Sequence, residues 1–172
     1  MTTTETSEPH PGMTKPEPQK EHQWLARLVG DWSMEGEANM GPGTPETFKG
    51  TESARSIGGL WVIVEGEGAM PGGGTSTSMM TLGYDPQKKR FVGSFLGSMM
   101  TNLWIYEGTL DADGRVLTLD TEGPGMSGDG TLAKYKDSIE FKSDDERVMT
   151  SQVQGADGTW TQIMTMTSRR KK

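Results

Sequence analysis

The chain of 172 residues has no cysteine and two histidines. The first absence excludes disulfides, thiolate nucleophiles and cysteine-held metals. The second leaves almost no material for a Ser-His-Asp constellation or a histidine metal site: His10 lies in a polar opening stretch and His22 stands alone on a short helical segment. His22 reads as a residue at the seam between that helix and what it covers. Long hydrophobic runs are also missing. The longest, Leu60–Val64, falls far short of the roughly 20 residues that span a bilayer. There is no basic excess either. With 17 Lys and Arg against 24 Asp and Glu, the net charge of -7 repels nucleic-acid backbones and anionic headgroups, so neither nucleic acid nor membrane insertion is expected.

What is abundant is glycine, 24 residues, and methionine, 13. So much glycine disfavours a helical bundle. Residues 1–18 mix Thr, Glu and Ser with prolines at 9, 11, 16 and 18. They read as a disordered polar tail with neither the basic start nor the apolar stretch of a signal peptide, which makes a cytoplasmic location the expectation. Residues 19–168 form one domain at this length, and Arg169, Arg170, Lys171 and Lys172 a basic C-terminal tail.

His22, Leu25, Leu28 and Val29 recur at helical spacing, which predicts a short amphipathic helix over about 20–29, ended by Gly30. From Asp31 the period becomes two. Turn residues at Gly58-Gly59, Asp85-Pro86, Asp113-Gly114 and Asp157-Gly158, among others, cut the rest into about ten strands. Their expected spans are about 31–40, 46–57, 60–69, 75–84, 90–98, 102–110, 115–122, 129–142, 146–154 and 158–168. The fold class is therefore all-β: an antiparallel meander that closes into a barrel, with the helix covering one end.

Alternation assigns the inner face. Trp32, Met34, Gly36 and Ala38 point inward from the first strand, Trp104, Tyr106, Gly108 and Leu110 from the sixth, and Trp160, Gln162, Met164 and Met166 from the last. On the second strand Glu52 shares the inner face with Phe48, Gly50 and Ala54, while Arg55 points outward. A carboxylate there needs a donor or a proton, and Tyr84, Tyr106 and Gln162 are the candidates. Glu35, Glu37, Glu65 and Glu67 read as a solvated outer face rather than a metal cluster, because the first and third strands of a meander are not neighbours. The methionines read as core or pocket lining rather than a copper site. Ten strands enclose more width than side chains fill easily, and inward glycines add space, which leans toward a pocket.

Gly30-Asp31-Trp32, at the junction of helix and first strand, resembles the Gly-x-Trp opening of the lipocalin or calycin superfamily. Glu52 with Arg55 before Gly58-Gly59, Leu82-Gly83-Tyr84-Asp85 before Lys88-Lys89, and Glu107-Gly108-Thr109 before Asp113-Gly114 are similar to a bacterial domain family of unknown function in that superfamily. The resemblance runs over about residues 20–168. It implies the barrel and no established activity, and in lipocalins it also implies an arginine from the last strand, here Arg169 or else Arg170, packed on Trp32. The build also resembles nitrobindin-like haem barrels, which hold iron through a late histidine. This chain has no late histidine; Tyr84, Tyr106 or a methionine are the substitutes it offers for iron, and the cofactor stays unknown at this point.

Two readings remain open. In one, a lumen lined by Trp32, Trp104, Tyr106, Trp160, Met164 and Met166, with Glu52, Tyr84 and Gln162 as polar groups, binds a small apolar or aromatic molecule, the helix serving as plug or lid. In the other the core is filled, and the outer face supports homo-oligomers or scaffolding. An enzyme has the least support, since the usual bases and nucleophiles are missing or face solvent.

Overall fold

The helix is shorter than its apolar periodicity predicts. In the computed structural model, which describes residues 12, 14–39, 41–70 and 72–172, α1 spans Lys20–Ala26. The backbone N–H of Gln19, the residue that caps the helix, donates to His22 Nδ1 at 2.9 Å. Arg27 and Leu28 continue as a turn. Gly30 then opens the sheet with φ of 132°, a conformation that only glycine adopts freely. A Cβ there would also meet Arg170 Nη1 at 2.5 Å.

Ten strands follow: β1 Gly30–Ala38, β2 Glu46–Ile57, β3 Trp61–Ala69, β4 Thr75–Asp85, β5 Arg90–Gly97, β6 Trp104–Leu110, β7 Val116–Pro124, β8 Leu132–Ser143, β9 Glu146–Gln154 and β10 Trp160–Arg170. Each pairs antiparallel with its neighbour in sequence, and β10 returns to pair with β1 from Trp32↔Arg170 to Ala38↔Met164, closing the barrel. Closure leaves no unpaired edge. The β2–β3 hairpin shows how local chemistry sets register. Gly58 and Gly59 take φ of 64° and 74° while Leu60 N–H donates to Ile57 C=O, a turn within a three-residue connection that leaves Ile57 opposite Trp61.

The polar stretch expected over residues 1–18 is described only in part. Residues 14–18 are exposed coil, and residues 1–11 and 13 lie outside the described residues. At the other end, β10 runs through Arg170, and Lys171 N–H donates to Asp31 C=O, so half of the expected basic tail belongs to the sheet. Among the described residues, no helix is long and apolar enough to cross a membrane.

The barrel has two unlike ends. At the end bearing α1, Trp24, Leu25 and Leu28 enter the barrel and pack on Trp32, Leu82 and Phe91, all nearly or fully buried. Trp24 Nε1 donates to Gly114 C=O at 2.8 Å, and its ring meets Phe91 and Phe141 edge-on. A seven-residue helix is marginal alone, so its order comes from this insertion. The β1–β2, β3–β4, β5–β6, β7–β8 and β9–β10 connections surround the opposite, open end.

Candidate ligand site in the barrel lumen

The floor of the lumen is a cluster of one tryptophan and two arginines. Arg147 and Arg170 both lie over the Trp32 ring, at 4.8 and 4.2 Å from its centroid. Trp32 Nε1 donates to Leu28 C=O, and Arg170 donates to the carbonyls of Val29 and Arg27 at 2.6 and 2.9 Å, tying the end of the helix to the last strand. Arg170 rather than Arg169 takes this place because strand alternation sends Arg169 outward to Glu35 and Glu146. Glu52 points inward as alternation requires. Its partners, however, are Arg147 Nη2 at 2.5 Å and Ser168 Oγ at 3.1 Å, not Tyr84, Tyr106 or Gln162. With its carboxylate engaged in the floor, Glu52 is a structural group and not an anchor in the open lumen.

Above that floor the lining changes character. Met34, Phe48, Phe95, Trp104 and Met164 point inward yet keep partial exposure, so solvent enters the open half. Three of these side chains lie along the wall over glycines. A Cβ at Gly50 would meet Met34 Cε at 2.5 Å, one at Gly36 would meet Phe48 Cζ at 2.6 Å, and one at Gly123 would meet Trp104 Cζ3 at 2.2 Å. Glycine beside a large residue lets the side chain fold onto the neighbouring strand instead of crossing the lumen. Trp104 is held there by an edge contact to Tyr135 and by its Nε1, which donates to Met100 Sδ at 3.0 Å.

Between floor and mouth sits a polar group. Asp137 of β8 points inward, accepting from Ser151 Oγ on β9 at 2.6 Å and from the Tyr106 hydroxyl on β6. Burial pushes the Asp137 carboxyl up, with the two hydroxyl donors pulling it back in part. Burial first and the facing Asp137 second raise the Tyr106 phenol far above its usual value. Thr121 Oγ1, also inward, is buried with no partner.

Of the candidates read from sequence, Trp104 and Tyr106 of β6 and Met164 and Met166 of β10 all lie on the inner face of the barrel. Trp32 is in the floor, fully buried. Tyr84 packs under the helix against His22 and Phe91, away from the mouth. Trp160 and Gln162 are corrected: a bulge between Gln162 and Met164 shifts the register of β10, placing both on the outer wall opposite Gln154 and Gln152. There Lys136 Nζ lies 4.4 Å from the Trp160 ring. Of the two roles expected for the helix, plug or lid, its packing is that of a plug: Trp24, Leu25 and Leu28 belong to the core.

Glu65 and Glu67 of β3 line an open depression of about 670 Å³ on the outer wall over β2–β5. A second depression, about 340 Å³, lies at the rim beside Phe48 and Met70. Neither is a sealed chamber, and neither is lined by Trp104, Tyr106, Asp137 or Met164.

The family model described as "Protein of unknown function (DUF1579)" matches residues 17–170. The chain belongs to that family. No curated protein matches it. Among solved structures, Rv2717c from M. tuberculosis is similar with a TM-score of 0.63 at 14% identity, over 91% of this chain and 100% of that one. The S-type phycobiliprotein lyase CPES from Guillardia theta is similar with a TM-score of 0.62 at 16% identity, over 91% and 99%. Identities this low establish the shared barrel alone.

For this member of the DUF1579 family, sequence reasoning missed Asp137, Ser151 and Arg147. The signal was present. Asp137 shares parity with Tyr135, Ile139 and Phe141, and Arg147 with Met149. A charged residue on the apolar parity of a strand must be paired or functional.

Proposed function

We propose that the open half of the lumen binds a small, largely apolar or aromatic molecule, and that the protein binds its ligand rather than transforming it. One observation carries the reading: Met34, Phe48 and Trp104 point inward, stay partly exposed, and lie against glycines of the neighbouring strands. Apolar walls with a few convergent polar groups are the usual composition of a ligand site. An open mouth suits a ligand that leaves one end in water. The likeness to a phycobiliprotein lyase contributes the fold only. The test is a titration of fatty acids, retinoids, flavins and haem, followed by tryptophan emission and melting temperature. Binding shows as quenching that disappears in Trp104→Phe; a panel that changes neither observable overturns the reading.

A second reading, self-association, is favoured by Leu96, Leu103 and Ile105, which are 47%, 53% and 57% exposed on and beside the outer face of β5 and β6. Sedimentation velocity separates it: a concentration-independent monomer removes it.

A further inference from the structure

Asp137 differs from the other inward carboxylate. Glu52 is neutralised by Arg147, whereas among the described residues Asp137 has no ion-pair partner and accepts only from two neutral hydroxyls. An ionised carboxylate offers about four lone-pair sites, of which Ser151 and Tyr106 use two. Thr121 Oγ1, on the same inward face, is a hydroxyl without a partner, with its acceptor lone pairs and its own O–H both unused. It lies diagonally across from Asp137, since β7 and β8 pair Leu119 with Asp137 and Thr121 with Tyr135. Asp137 and Met164 both pair with Ser151, and Thr121 lies two residues before Gly123, over which Trp104 packs. The site is therefore rich in acceptors, and when Asp137 is ionised no cation among the described residues matches its charge.

We propose that Asp137 and Thr121, positioned by Tyr106 and Ser151, receive the ammonium group of an aromatic or aliphatic amine whose apolar body lies against Trp104, Phe95 and Met164. This deepens the lumen-binding reading and rests on it. An ammonium carries three donors and no acceptor, the complement of this acceptor set, and supplies the missing positive charge. Carboxylate and phosphate ligands are excluded by the same charge. A neutral hydroxyl can make the hydrogen bonds without the ion pair. Because the amine enters a largely desolvated position, its pairing with Asp137 is worth far more than a surface contact.

The experiment compares three naphthalene probes of matched size by titration calorimetry on the full chain: 1-naphthylmethylamine, 1-naphthylmethanol and 1-naphthoic acid. The amine is expected to bind about tenfold or more tightly than the alcohol, with the acid weakest. In Asp137→Asn, close in shape to the original, the amine should fall to the level of the alcohol while the alcohol keeps its affinity within about twofold. Thr121→Val should weaken the amine by a smaller factor. Equal binding of amine and alcohol by the intact protein overturns the amine site and leaves the lumen reading standing, a result that needs no folded variant. Failure of all three probes, together with the broader ligand panel, overturns both. Amine selectivity that survives unchanged in Asp137→Asn also overturns the assignment.

Discussion

Arg147 donates from Nη2 to Oε2 of Glu52 at 2.5 Å, joining β9 to β2 across two intervening strands, with 3% and 12% of the side chains exposed. The contact also sets the guanidinium over Trp32, so one side chain holds a charge pair and an aromatic face together. Removing either partner leaves the other charge buried and unmatched. Arg147→Ala and Glu52→Gln are each expected to cost about 3–5 kcal/mol, whereas the double variant Glu52→Gln with Arg147→Met should cost much less than the sum. Urea unfolding of the four proteins checks this, and additive losses would contradict it.

The two arginines that end β10 should behave very differently although they are adjacent. Arg170 covers Trp32 and donates to two carbonyls of the helix–strand junction, so Arg170→Ala is expected to cost about 2–4 kcal/mol. Arg169 makes exposed ion pairs with Glu35 and Glu146, and Arg169→Ala should cost about 0–1 kcal/mol and less at high salt. Denaturant midpoints decide, and comparable losses would refute the assignment.

Asp137 makes stability depend on pH in a direction that can be worked out. Burial raises its folded value above the ordinary 3.8, so between those two values the native state binds more protons than the unfolded chain. Stability from this group is fully present below the ordinary value and is lost as pH rises through the folded one. Asp137→Asn removes that dependence. The stability of the wild type relative to the variant should therefore fall as pH is raised from about 4 toward 8. Paired urea melts along that range check the sign, and a rise would show that hydrogen bonds outweigh burial.

Most of the barrel was legible because its strands are bounded by residues with one structural meaning. Gly58-Gly59 can only turn, and β2 and β9 have the bounds that alternation predicts. The site was less legible for two reasons. Counting back from Met166 and Met164 by twos puts Gln162 and Trp160 inside, and a single extra residue in β10 reverses them; the only trace is Ile163, an apolar residue beside Met164 where a polar one belongs. The partners of Glu52 were illegible for a different reason. Arg147 and Ser168 reach it across the lumen, and sequence alternation gives the face of a residue but not what lies opposite through the barrel.

The placement of two tryptophans at opposite ends leads to a prediction that separates plug from pocket. Trp24 is 7% exposed in the filled end, where Leu25 and Leu28 are 1% exposed beside it. Burial of side chains this large contributes about 1.5–3 kcal/mol each, together a large part of the roughly 5–15 kcal/mol that holds a domain folded. Deleting residues 1–29 should therefore leave a barrel that binds hydrophobic dyes and melts without cooperativity, whereas deleting residues 1–13 should change neither property. In the intact chain, a ligand entering the open half meets Trp104 but is separated from Trp24 by the Trp32 cluster. Quenching by ligand should persist in Trp24→Phe and vanish in Trp104→Phe. Quenching that vanished only in Trp24→Phe would put the binding site at the helix end and overturn the direction of entry.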